Sequence, residues 1–115
     1  MKKVKDIETA LAFFAEASFK QAQATEQGDY KTGNKYYDII VKATTFIKNV
    51  NAIDSLHQYL SNPSVGVRMW AAYYLLNAYE KESVKVLEEI SKSSSIYALT
   101  ADTTLSEWRK GSLEF

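Results

Sequence analysis

Along the chain, apolar positions recur every three or four residues, and the breaks between these runs carry glycine, proline or clustered serine. The first run, Ile7, Ala10, Leu11, Phe14, Ala17 and Ala24, has the period of an amphipathic helix. It predicts a helix from about Asp6, a good N-cap, to about Glu26. Gln27-Gly28-Asp29 reads as a glycine stop followed by a new cap. A second helix then starts near Tyr30, with Tyr37, Ile40, Val41, Thr44 and Ile47 as its expected buried side. Gly33 weakens that helix near its start, which predicts close packing there. Asn51 as cap and Asp54 in the first turn predict a short third helix on Ile53, Leu56 and Leu60.

Ser61-Asn62-Pro63-Ser64 ends that helix, and Ser64 is the expected cap of a fourth, running to about Tyr79. The segment from Leu60 to Leu76 is the most apolar of the chain. At about 100° per residue, Val67, Ala71, Tyr74 and Ala78 fall on one side, and Met69, Ala72, Tyr73 and Leu76 on the other. Such a helix must be covered twice, so it belongs at the centre of a layered stack. Val67, Ala71 and Leu75 are its expected core residues, and Arg68, Tyr73 and Asn77 its expected surface. A fifth helix, about Lys81 to Ser91, buries Val84, Leu87 and Ile90 and carries Glu88 and Lys92 outside as a solvated pair. Ser93, Ser94 and Ser95 make the next turn and cap. The sixth helix uses Ala98, Ala101, Leu105 and Trp108 and stops at Gly111.

Shifted along itself, the chain aligns Ile53 with Val84, Leu56 with Leu87, Val67 with Ala98 and Tyr74 with Leu105. The expectation is one all-α domain over residues 1–115, with about six helices as three stacked antiparallel hairpins at about 6–49, 51–79 and 80–110. The turn with Pro63, then Val67-Arg68, Ala71-Ala72 and Leu75-Leu76, resembles the core of a HEAT-like repeat. More broadly, the chain resembles a group of small bacterial HEAT-like proteins catalogued only as a domain of unknown function. That likeness is carried by Gly28-Asp29-Tyr30, Asn34, Tyr37-Asp38, the segment from Pro63 to Leu76, and the ending Leu105-Ser106-Glu107-Trp108-Arg109-Lys110-Gly111. The resemblance implies a short α-solenoid and no particular activity. In such proteins the position of Arg68 often pairs with an acidic residue of the inter-helix turn, where this chain has Asn62.

Composition narrows the function classes. Four glycines and one proline in 115 residues leave little material for the turns of a sandwich or barrel. Fourteen basic and fourteen acidic residues cancel, which removes the footprint of a general nucleic-acid binder. With no cysteine there is no thiolate nucleophile, disulfide or cysteine metal site. Lys2, Lys3 and Lys5 look like the start of a signal peptide, but Asp6, Glu8 and Glu16 interrupt the apolar stretch that must follow, so a cytoplasmic protein is expected. The longest uncharged apolar run, Met69 to Leu76, is too short to span a bilayer.

Candidate chemistry is sparse. His57 is the sole histidine, with Asp54 one turn earlier, whereas zinc sites use three or four ligands; a solvated or capping role is expected. Glu88 and Glu89 diverge by about 100° on a helix, too far for a paired acid and base. Ser93 to Ser95 lack the glycine-rich loop of a phosphate site. No catalytic residue set, metal site or cofactor is therefore expected. Aromatic residues are plentiful instead: Tyr30, Tyr36, Tyr37, Tyr73, Tyr74 and Tyr79, then Tyr97 and Trp108, all assigned to the second helices of the hairpins. In a solenoid those helices share one surface.

Tyr37, Tyr74 and Trp108 are expected in the core by their spacing, the other rings as exposed anchors. Tyr30, Asn34, Arg68, Tyr73, Asn77, Asp102 and Arg109 are the expected partner-binding residues. These features favour a non-catalytic protein-interaction module, an adaptor or a toxin-neutralising protein, as a monomer or weak dimer. The alternative is a nucleic-acid binder using Lys31, Lys35, Lys42 and Lys48 as a basic groove. A third reading is an enzyme built on Asp102 or Glu107.

Overall fold

The computed structural model describes residues 6–113, so Lys2, Lys3 and Lys5 lie outside it. The chain is all-α: α1 (Ile7–Glu26), α2 (Tyr30–Asn49), a 3-10 helix η1 (Ile53–Ser61), α3 (Val65–Tyr74), α4 (Glu80–Ser91) and α5 (Ala98–Arg109). Local chemistry sets most of the boundaries. Asp6 accepts from Thr9 N at 2.8 Å and Asp29 from Thr32 N at 3.1 Å, satisfying amides that have no partner within their own helix. Hydrogen bonds from Thr9 and Thr32 respectively hold the Asp6 and Asp29 carboxyls below the ordinary carboxylate value. Gly28 closes α1 at φ 72°, where its amide reaches Thr25 O and the Asp29 amide reaches Ala24 O. Gly111 ends α5 in the same way, also at φ 72°.

Asn51 corrects one expectation. It sits at φ 58°, and the Ala52 amide returns to Ile47 O at 2.9 Å, so Asn51 is the left-handed stop of α2 and not the cap of the next helix. The segment after it has no side-chain cap and winds as a 3-10 helix that buries Leu56 and Leu60.

Consecutive helices pack as three hairpins, α1 with α2, η1 with α3, and α4 with α5. As expected of a helix apolar on two sides, α3 is enclosed, touching α1, η1 and α4, with Val67, Met69, Ala71, Ala72, Leu75 and Leu76 all buried. Ser64 caps it, accepting from Val67 N at 3.4 Å. It ends sooner than the pattern predicts. After Tyr74 the chain turns through Leu75 to Ala78, which lays the Tyr79 ring 4.6 Å from the ring of His57 on η1.

The close approach in the molecule is at Gly66 rather than Gly33. A Cβ on Gly66 would lie 2.6 Å from Ser18 O and 2.7 Å from Ala22 Cβ, so α3 seats directly on the small residues of α1. At Gly33 the nearest atom to such a Cβ is Thr25 Oγ1 at 3.8 Å, an ordinary contact.

The buried face of α2 is also turned from its expected position. Ile40, Thr44 and Ile47 are inside as predicted, joined by Gly33 and Ala43, while Tyr36, Ile39 and Phe46 flank them. Tyr37 and Val41 are exposed instead, because the small residues of α1 draw the opposite flank of α2 inward. Glu88 likewise departs from its expected partner. It meets Arg109 at 3.3 Å, linking α4 to α5, while Lys92 is the C-cap of α4.

Candidate functional site: the cleft between α2 and α3

On α2, Tyr30, Asn34, Tyr37, Val41 and Lys48 share one face at about 100° per residue, and all are exposed. Tyr30 is 75% exposed, far more than a packing role requires. Beside this face runs α3. Its backbone is seated on α1 and barely approaches α2, so large side chains bridge the gap.

Trp70 is the hub of that bridge. Its ring lies 5.5 Å from Tyr37, 5.9 Å from Tyr73 and 6.1 Å from Tyr97, the last two edge to face. The indole N–H donates to Gln21 Oε1 on α1 at 3.4 Å, and the Tyr97 hydroxyl donates to the same oxygen. Burial pushes the Tyr97 phenol up to about 12. It also raises Tyr73 and Tyr74, whose rings meet edge to face at 5.0 Å. These phenols stay neutral near pH 7, so the cluster offers flat apolar area and hydroxyl donors rather than an acid and base pair.

Toward the C-terminal end of α2 the cleft deepens into a groove of about 230 Å³. Val41, Ile53, Ala78 and the Tyr74 ring form its walls. Thr45, Lys48 and Asn77 bring polar groups to it, while the Thr44 hydroxyl is taken up by Ile40 O at 2.8 Å.

The expected partner-binding residues divide between regions. Tyr30 and Asn34 lie on the exposed α2 face, Asn77 lines the groove, and Tyr73 is half-buried beside Trp70. Arg68 has a task inside the fold: its Nη1 donates to Asn62 O at 2.8 Å and Pro63 O at 3.0 Å, closing the end of η1 on backbone carbonyls rather than on an acidic side chain. Asp102 and Arg109 sit on the α4 flank of α5, well over 100° around that helix from Glu107, whose charge acts on Tyr73. They belong to another surface.

Of the rings expected in the core, Tyr37 is 40% exposed, and Tyr74 and Trp108 are partly buried; Tyr97, expected as an exposed anchor, is instead buried at 3%, its ring edge-on to Trp70. Trp108 donates to Glu80 Oε2 at 2.7 Å across the α4 and α5 hairpin. Trp70 and Val41 are functional candidates that the aromatic pattern missed, Trp70 because it sits inside a run that is apolar throughout. His57 Nε2 lies 2.6 Å from Glu82 Oε2, tying η1 to α4, with Asp54 not its partner. Among the described residues, no cluster of His, Asp or Glu could hold a metal ion, and no helix is long and apolar enough to cross a membrane.

The basic stripe of the nucleic-acid reading is interrupted. Lys31, Lys35 and Lys42 share an edge of α2 with Asp38 among them, and Lys48 lies about 100° away on the cleft side. Compared with protein-family profiles, curated proteins and solved structures, the chain gives no match.

Proposed function

We propose that this chain is a non-catalytic protein-interaction module that holds a partner along the cleft between α2 and α3. The observation that carries this reading is the exposed stripe of Tyr30, Tyr37 and Val41 beside an aromatic cluster already fixed by the fold. Tyrosine supplies large contact area with little side-chain entropy to lose, and Tyr37 is held in advance by Trp70. The hairpins are read as HEAT-like and the protein as a cytoplasmic adaptor or toxin-neutralising factor. In either role the α2 face would receive the partner, and Asn34 and Asn77 would supply polar registration.

Photo-crosslinking in the native host tests this. A benzophenone side chain at position 34 or 37 should trap a discrete adduct, while the same group at exposed positions 12 and 23 of α1 should trap none. Adducts spread equally over both faces, or none from the cleft, would remove the proposal.

A further inference from the structure

We infer that the deep end of the cleft is a binding site for a small amphiphilic monocarboxylate, a molecule of about ten non-hydrogen atoms with an apolar body and one terminal carboxylate. The inference concerns the groove alone and does not depend on the protein-interaction reading. Size is the first argument. A groove of about 230 Å³ lies between the roughly 150 Å³ that holds benzene and the roughly 300 Å³ at which drug-sized pockets begin. It is also far too small to form a stable protein interface by itself.

The lining sets the chemistry. Val41, Ile53, Ala78 and the Tyr74 ring give apolar walls drawn from α2, η1 and the turn after α3. Lys48 is the one charged residue of the lining, with no carboxylate among the others. It takes part in no ion pair among the described residues. An apolar ligand with a single negative end therefore complements the site, Lys48 and the Asn77 amide meeting its carboxylate while the tail lies against Val41 and Ile53.

Titrating the full chain with sodium octanoate, followed by amide chemical shifts at pH 7, tests the inference. The expected result is saturable binding with shifts confined to residues 41–48, 53 and 74–78. Affinity should rise about fourfold per methylene from hexanoate and level off once the groove is full. Lys48→Gln should weaken octanoate binding about tenfold. Ala78→Leu, at an exposed position, should fill the groove and abolish binding without changing the circular dichroism. 1-Octanol and octylamine should bind at least tenfold more weakly than octanoate. Shifts centred elsewhere, equal binding of octanol, or octanoate binding unchanged in a folded Ala78→Leu protein would each overturn the inference. None of these outcomes bears on whether position 37 captures a protein partner, so the two ideas fail separately.

Discussion

The helix α3 meets α1 and α2 in different ways. Against α1 it offers Gly66 to Ser18 and Ala22, so that backbone nearly touches backbone. Toward α2 it offers Trp70, Tyr73 and Tyr74, and the gap that remains is an aromatic cleft with a groove at one end. Gly66 locks the N-terminal end of the helix in place, and the bulky residues one and two turns further on keep a space open. Close packing and an open cleft are thus divided between the two ends of one ten-residue helix. The seam should be intolerant of added atoms, whereas the cleft should tolerate changes of side chain.

The largest effect is expected at the seam. Gly66→Ala places a Cβ 2.6 Å from a backbone carbonyl oxygen, which cannot rotate away. Two packed helices must separate to admit it, at a cost of about 3 kcal/mol. Thermal unfolding of the variant should show a midpoint more than ~10 °C lower. A drop of only one or two degrees would mean that the helices are not in contact at this point.

The second effect probes the hub, where seam and cleft meet through Gln21. The Tyr97 phenol is raised from 10.0 to about 12 in the folded chain. The unfolded chain therefore loses this proton first as pH rises. Stability is fully present below about pH 10 and declines between about pH 10 and 12, by up to about 2 to 3 kcal/mol. Tyr73 and Tyr74 are raised in the same direction and add to the decline. Denaturant titrations at intervals across this range should show a clearly shallower fall for Tyr97→Phe, although the variant starts lower by about 1 kcal/mol for the lost hydrogen bond to Gln21. Identical slopes would mean that Tyr97 is open to water.

What was legible in the sequence follows the range of the interactions involved. Asp6, Gly28, Asp29, Ser64 and Gly111 act within a turn of helix, and each marks its boundary as the pattern predicts. The apolar faces of α1, α4 and α5 were readable by period alone. The rotation of α2 was not, because it depends on how closely α1 lets its partner approach, a property of Ala17, Ser18 and Ala22 that periodicity does not contain. Asn51 was misread since both a left-handed stop and an N-cap favour Asn. The candidate site was half legible: Tyr37, Tyr73, Tyr74 and Tyr97 did gather around Trp70, but Tyr36 turns to α1, Tyr79 to His57 and Trp108 to Glu80, and Trp70 and the tight contact at Gly66 required knowing which helix lies opposite.

Gly33 gives a third, opposite-signed check of the comparison. It lies in the interior of α2, and an added Cβ there meets nothing nearer than 3.8 Å. Gly33→Ala should therefore stabilise the chain by about 0.5 to 1 kcal/mol through helix propensity. The pair of glycine substitutions then moves the unfolding midpoint in opposite directions. Loss of stability at both would place a second tight seam between α1 and α2.

The smallest effect is expected in the cleft itself. Val41 is 36% exposed and lines the groove, so Val41→Thr changes its chemistry at nearly constant shape. Both residues are β-branched and differ little in helix propensity, and the new hydroxyl faces water or can donate to the carbonyl one turn earlier. The midpoint in urea should stay within the equivalent of about 0.5 kcal/mol of the parent. A loss above about 1 kcal/mol would instead show that Val41 is packed in solution. The cleft would then be closed, and α2 would grip α3 as α1 does.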